Sequence, residues 1–469
     1  MATPNTHFGA ENIGLMLKEC KSIYFIGIGG INMSSLAHIS HLRSYRVGGS
    51  DREKTALTER LAAEGIEIFY SHEAKNIEDY DAVVYTVAIS PDNPEYVRAQ
   101  ERGIPCISRA DYLGYLMLGY ENRIGVSGMH GKSTCTSMCA TVFMRSDADP
   151  TVLSGAELDA MGGAYRIGES ENFIFEACEY MDSFLDFNPS TAIILNIELD
   201  HVDYFASVEQ ICESYSKFAD ITGKDGTVIA NADDVNIPCA LEKYEGRVIT
   251  FGVATGSADY TAINIRYSGG FPEFDVMYHG EYLTHVKLSV TGEHNVYNAL
   301  AAFAAGHVSG LDPEKIALGL TDFHGAKRRM EYKGTVNGAL VFDDYGHHPT
   351  EVATTLEGVA RRDAQRLFCV FQPHTFSRTY TLMDDFAQSF DAVERVFIAD
   401  IYPARETDNL GISGKTLAIR VGEKAEYVSG FQNIARELNN ILYPGDVLVV
   451  MGAGDIYKLF DYLKFDLLF

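Results

Sequence analysis

Residues 123–138 read RIGVSGMHGKSTCTSM, and the fold turns on what the glycines at 125, 128 and 131 do there. A short apolar run leads into them, and STCTSMCATVFM, a plausible helix, follows. In a strand–turn–helix of this kind the glycines let successive backbone N–H groups face inward. The helix N-terminus adds positive potential, and together they cradle phosphate oxygens. The common phosphate-loop spacing asks for a glycine five residues before the Gly-Lys pair, where Val126 stands. The loop, Gly-x-x-Gly-x-x-Gly-Lys-Ser-Thr, is thus a relative of that motif. Lys132 is expected to reach the β- and γ-phosphates of ATP, and Ser133 or Thr134 to ligate magnesium. A Gly-Lys-Ser triplet also arises by chance; the strand before it and the helix after it favour nucleotide binding.

The same rhythm runs along the chain. SIYFIGIGG, DAVVYTVAIS, NFIFEA, TAIILNI, ALVFDDYG, RLFCVFQ, RVFIADI and DVLVVMGAG each give a short β-branched or aromatic run before a polar or glycine turn. Near-continuous apolar strands alternating with helices indicate parallel sheets covered on both faces. Residues 246–291 break the rhythm with short, turn-rich strands, which predicts a small antiparallel sheet. Residues 325–334, GAKRRMEYKG, form a basic, glycine-bounded stretch before the pattern restarts. The expectation is an α/β protein of three units: 1–120, 121–331 and 332–469.

At 469 residues the chain is too long for one ordinary core. Its 38 basic and 65 acidic residues give a formal charge of −27, which argues against a nucleic-acid partner. Acidity on this scale serves solubility, so an anionic ligand must be met by local devices: helix N-termini, placed Lys or Arg, and divalent metal. No window approaches the roughly 20 apolar residues of a membrane span. The first residues lack the layout of a signal peptide, which makes the cytoplasm the expected compartment. The eight cysteines form no Cys-x-x-Cys pair, so neither a zinc ribbon nor a redox motif is indicated.

FIGIGGINMSSLAHI also follows a strand and opens a helix, with Asp51 about 20 residues further on, in the manner of a dinucleotide fingerprint. Asn32 occupies the third glycine position, however. A nucleotide diphosphate on that helix N-terminus fits equally, and so does a plain strand–helix turn. Glu176, with Glu179 behind it, stands at one strand end; Glu198, Asp200, His201 and Asp203 follow another. Glu176 suits a magnesium ligand, and His201 could complete a second metal position or orient a phosphate. In GEHNVYNALAA, Asn295 and Asn298 share a helix face fit to edge an adenine, although a simple helix start reads the same way. VFDDYGHHPTEV carries adjacent histidines, which point apart with no third ligand spaced to help, so zinc is not expected.

Taken together, FIGIGGINMSSLA, GSD, TVAISPDNPE, RADYL, GMHGKSTCTSM, FEACEY, NIELDHVDYF, GEHNVYNALAA, AKRRME, DDYGHHPTEV, FQPHTFSRT and GAGDI resemble the Mur ligase family, in the family's order and over the whole chain. The resemblance implies a Rossmann-like N-terminal domain for a UDP-sugar, a central P-loop-type ATPase domain with a mostly parallel sheet, and a Rossmann-like C-terminal amino-acid domain. It implies ATP and Mg2+ as cofactors. UDP-N-acetylmuramate and L-alanine are the implied partners, for a monomer or homodimer without membrane insertion. The implied reaction, a step of peptidoglycan precursor synthesis, phosphorylates the lactyl carboxylate; the amine of L-alanine then attacks the acyl phosphate.

Carried over by position, Gly128, Met129, His130, Gly131, Lys132, Ser133 and Thr134 form the ATP loop. His294, Asn295, Asn298, Arg329 and Asp344 complete the ATP site. Ser133, Thr134, Glu176 and His201 hold metal. Gly27, Gly29, Gly30, Ser50, Asp51, Thr86, Ala88, Asn93 and Arg109 face the UDP-sugar. Tyr345, His347, His348, His374 and Arg378 meet the amino acid and the acyl phosphate, where positive charge offsets the anionic intermediate. Lys132, Glu176, His201, His348 and Arg378 are the implied catalytic set.

The chain departs from the family at Met129, usually Thr, and at Cys178 and Met181, which remove two carboxylates. Asn32 and Ser35 replace glycines, and Thr375 stands where many members have Arg. Two competing functions are a ligase joining the same sugar nucleotide to a preformed tripeptide and a nucleotide-binding regulator without ligation. An NAD oxidoreductase is disfavoured by Asn32 and by the second phosphate loop.

Overall fold

A computed structural model describes residues 3–201, 204–268, 270–360, 365–404 and 406–466. Three sheets organise the described residues. The first holds five parallel strands in the spatial order Glu67–Phe69, Arg46–Ser50, Ser22–Ile26, Ala82–Tyr85, Cys106–Ser108. Chain order reverses beside Ser22–Ile26, the kind of switch point at which α/β sheets open a crevice.

The central sheet has ten strands. Its parallel middle runs Thr227–Asn231, Thr191–Ile194, Asn122–Ser127, Asn172–Glu176. The antiparallel strands expected in 246–291 are present as Tyr260–Ser268, Phe271–Tyr278 and Glu281–Lys287, and they extend this sheet at one edge. The C-terminal sheet orders six strands as Glu331–Val336, Ala339–Asp344, Asp446–Met451, Arg366–Phe371, Arg395–Ile398, Ala425–Tyr427, parallel except for the first pair.

The apolar runs became central strands because both faces are covered. Every residue of Ser22–Ile26, Thr191–Ile194 and Asp446–Met451 is buried. The alanine-rich helix His294–Val308 is apolar nearly all round and is wedged against Lys132–Arg145 in the core of the central domain.

The apolar cores divide unevenly. One cluster merges Phe25, Tyr112 and Met117 of the N-terminal domain with Phe173, Phe184 and Tyr215 of the central domain. The buried members of the two clusters on the C-terminal sheet all come from Val336 onwards. The C-terminal domain meets the central one through hydrogen bonds and ion pairs instead.

Candidate active site

The strand Asn122–Ser127 ends at a buried serine whose Oγ donates to the Ile193 carbonyl at 2.6 Å, fixing the start of the glycine loop. Two glycines there are required by geometry. Gly128 has φ +139°, and Gly131, capping the helix Lys132–Arg145, has φ +83°. A Cβ on Gly131 would sit 2.6 Å from Asn298 Oδ1, so Asn298 floors the loop. Asn196 clamps it from the next strand: its Oδ1 accepts from the His130 N–H at 2.8 Å and its Nδ2 donates to the His130 carbonyl at 3.0 Å.

Lys132 folds back over this loop, donating to the carbonyls of Gly128 (2.6 Å) and Met129 (3.1 Å). Its ammonium also pairs with Glu179 at 3.0 Å. Burial opposes the lysine's charge, but Glu179 outweighs it and holds the ammonium above its ordinary pKa. The other oxygen of Glu179 lies 3.1 Å from His201 Nε2. Beside them Ser133 Oγ and the Gly155 N–H donate to the same Glu176 oxygen at 2.8 and 2.9 Å. Ser133 and Glu176 thus bring two hard oxygen donors together, with Arg329 Nη2 3.4 Å from the Ser133 hydroxyl. This donor set fits magnesium, which favours oxygen ligands. Asp203 lies outside the described residues.

A cleft of about 710 Å³ opens from the loop toward the C-terminal domain. His130, Gly131, Thr134, His294, Asn295, Asn298, Arg329 and Asp344 line it, together with Asn196, Asp233, Tyr297, Phe271 and Tyr332, which the sequence did not single out. Its chemistry suits a nucleotide: aromatic walls, helix-borne amides, and a buried His294 Nδ1 without a hydrogen-bond partner among the described residues. Burial holds His294 down at a pKa of about 4. Asp344 is buried, accepts from the Met330 and Gly346 N–H groups at 2.9 and 2.8 Å, and is pushed up by burial.

On the C-terminal side, Arg378 Nε and Nη2 both donate to Asp200 Oδ1, at 3.0 and 2.9 Å. Burial would raise the Asp200 carboxyl, yet Arg378 holds it far below its usual range. His374 stacks on Tyr402 and lies 5.8 Å from the His347 ring. Burial, with Arg378 adding repulsion, takes His374 down to about 4; His347 falls to about 3, again chiefly through burial. Both imidazoles are neutral near pH 7. Tyr345 packs under the Arg328 and Arg329 guanidiniums, and Glu351 accepts from the His347 and His348 backbone N–H groups at 3.0 and 3.2 Å. His130 reaches Glu198 at 3.0 Å and Glu351 at 3.4 Å. Burial resists its charge, but these two hydrogen bonds raise His130 to about 9.

None of the residues expected to face the UDP-sugar lines this cleft. They gather where the N-terminal sheet ends. Gly27 (φ +84°) donates to the Ser50 carbonyl at 2.8 Å, the Gly29 N–H donates to Asp51 at 2.9 Å, and Gly30 caps the helix Ile31–Leu42. Thr86 Oγ1 accepts from the Ala88 N–H at 3.3 Å, and Asn93 caps the helix Pro94–Glu101. Ser50 donates to Glu95 at 2.6 Å, and Glu95, wholly buried, also binds Tyr24, Asn76 and His72. Arg109 opens the helix Arg109–Met117 within reach of Cys178 and Asp186. Glu95, Asn196 and Glu179 were not assigned roles from the sequence. Asn196 follows an apolar strand, the one local signal that could have marked it.

Three family models match the chain: "Mur ligase family, catalytic domain" over residues 22–121, "Mur ligase middle domain" over 126–306, and "Mur ligase, glutamate ligase domain" over 328–454. A UDP-N-acetylmuramate–L-alanine ligase of Alkaliphilus metalliredigens is 45% identical over 94% of this chain and 96% of its own. The ligase of the same name from Caldanaerobacter subterraneus is 44% identical over 94% and 97%. Among solved structures, the UDP-N-acetylmuramate–alanine ligase of Thermotoga maritima superposes with a TM-score of 0.78 at 29% identity, covering 94% of this chain and 98% of the other. A murein peptide ligase of Psychrobacter arcticus shares the fold at a TM-score of 0.70 and 24% identity, with the same coverages. No helix among the described residues is long and apolar enough to cross a membrane.

Proposed function

The chain belongs to the Mur ligase family, and from that premise we propose that it joins L-alanine to the lactyl carboxylate of UDP-N-acetylmuramate at the expense of ATP. The observation that carries this is the opposition of two sets of groups. The phosphate loop, whose Lys132 pairs with Glu179, meets a C-terminal cluster of Arg378, His347 and His374 through two adjacent residues: His201 reaches Glu179, and Asp200 pairs with Arg378. The choice of alanine rests on the relatives named for it, 43–45% identical along nearly the whole chain.

In this proposal Lys132 leaves Glu179 for the β- and γ-phosphates, where its charge offsets the charge that builds up during transfer. Ser133, Glu176 and His201 would hold magnesium, which would supply charge neutralisation on the phosphates. Asn295 and the cleft's aromatic wall seat the base. The N-terminal sheet's glycine turn and Arg109 receive the diphosphate and sugar, and so bring the lactyl carboxylate toward the loop.

Arg378 then draws the acyl phosphate and the alanine carboxylate together. The neutral His347 and His374 orient the α-amine through hydrogen bonds without repelling it. Closure of the C-terminal domain over the cleft keeps water from an intermediate that it would hydrolyse. The reaction draws on nucleotide pools of the cytoplasm, where we place the protein.

Phosphate release from ATP and magnesium tests this, with UDP-N-acetylmuramate present and one amino acid or peptide added at a time. Turnover that needs both the sugar nucleotide and L-alanine is the expected result. Turnover with the L-Ala-D-Glu-diamino-acid tripeptide alone would reassign the chain to a recycling ligase, and no dependent turnover would remove the catalytic claim.

A further inference from the structure

We propose that His130, Glu198 and His348 form a transition-metal site at the seam between the central and C-terminal domains. One ligand atom from each of the three lies within 4.8 Å of the other two. Small side-chain rotations would draw them onto a single ion with bonds of ~2.1 Å. The residues come from three places: the glycine loop, the segment after the strand Thr191–Ile194, and the turn after Ala339–Asp344. Their spacing in sequence hides the set, and both domains must be docked to assemble it. The adjacent histidines of HHPTE still point apart, as expected. The third ligand that sequence spacing could not supply arrives by tertiary contact.

The rings of His130 and His348 lie 4.7 Å apart, centroid to centroid. Glu351 Oε1, 3.4 Å from His130 Nδ1, faces the ring's other nitrogen and would orient the imidazole from outside the ligand set. Two imidazoles with one carboxylate suit zinc, cobalt or nickel, whereas magnesium prefers oxygen ligands and keeps several waters. The set shares no residue with Ser133, Glu176 and His201.

The proton balance is simple. In the metal-free protein a proton lies between His130 Nε2 and Glu198 Oε2, 3.0 Å apart. An entering ion takes that place and releases the proton to solvent. His348 gives up its 3.2 Å contact with the Leu199 carbonyl or its contact with the Thr350 N–H, according to which nitrogen turns to the metal. The ion then ties the phosphate loop to the C-terminal domain through coordinate bonds, in place of a shared proton.

The test titrates the full-length protein, free of nucleotide, with cobalt(II) or zinc(II) alone. Visible d–d absorption reports the cobalt and calorimetry the zinc. One equivalent in a nitrogen-containing, low-coordinate site is expected. His348→Ala and Glu198→Gln should each weaken it by about tenfold or more, and His201→Ala should leave it in place. A band unchanged in the first two variants, or lost in His201→Ala, overturns the proposal, as does the absence of binding to the wild type. Should a variant misfold, a zinc-edge anomalous map of wild-type crystals decides: density between His130 and His348 supports the site, and density elsewhere alone refutes it.

Discussion

The ammonium of Lys132 lies 3.0 Å from the carboxylate of Glu179, whose side chain has no exposure to solvent. The lysine expected to grip phosphate is therefore already paired, and nucleotide must displace a buried partner. Removing one member of such a pair strands the other. Lys132→Met and Glu179→Gln should each destabilise the central domain by about 3 kcal/mol, and the double variant by clearly less than their sum. Urea unfolding of the four proteins measures the coupling; strict additivity would mean the two charges do not interact. Turnover should vanish in Lys132→Met. In Glu179→Gln it should fall with a changed KM for ATP, since His201 loses its partner as well.

Gly131 offers a cleaner test of the loop itself. Alanine there would combine φ +83° with a Cβ 2.6 Å from Asn298 Oδ1. The strain costs on the order of 1–3 kcal/mol and falls on the phosphate-binding backbone. Gly131→Ala should keep its circular dichroism spectrum while ATP affinity falls at least tenfold. Gly65→Ala, also at positive φ (+93°) but with open space around it, should leave ATP affinity unchanged.

Arg378 and Asp200 belong to different domains and hold one another across the seam. Asp200→Asn removes the charge and keeps the shape. Loss of about 1.4 kcal/mol of docking free energy shifts the closed-to-open ratio tenfold. Amide exchange in the loop 199–201 and around Arg378 should quicken accordingly. Unchanged exchange would show that this ion pair does not hold the domains together.

Acid should weaken the fold through His294 and His374. Both are held near a pKa of about 4 by burial, below the ordinary histidine value near 6.5. As pH falls from 6.5 to 4 the unfolded chain takes up these protons and the native one does not. Stability then drops by about 1.4 kcal/mol per pH unit for each ring and levels off below 4. Replacing either histidine by Gln should flatten the fall of melting temperature between pH 6.5 and 4.

Much of this architecture was legible because its strands announce themselves. SIYFI, TAII and DVLVVM are apolar after their first residue, and each became a strand buried on both faces. The glycine loop was legible for a related reason: Gly128 and Gly131 take backbone angles other residues resist. The partners of charged groups were not. Lys132 and Glu179 are 47 residues apart in sequence and His348 and Leu199 are 149 apart, so no local pattern links them. Nor could the sequence warn of Met181 and Asp182, two ordinary residues held at positive φ where Asp182 accepts from Tyr204 and Ser214. Tertiary bonds impose those angles, and local propensity gives no sign of them.

The uneven sharing of the apolar cores has a mechanical consequence. Oil-like surfaces pressed together, as between the first two domains, cannot part without exposing them to water. A seam of ions and hydrogen bonds can, because water replaces each broken partner. The molecule should therefore open as a jaw of two pieces, with the N-terminal and central domains as one plate. The bending is expected at the junction, where Gly325, Arg328 and Met330 all sit at positive φ. Added salt should loosen this jaw and leave the plate intact.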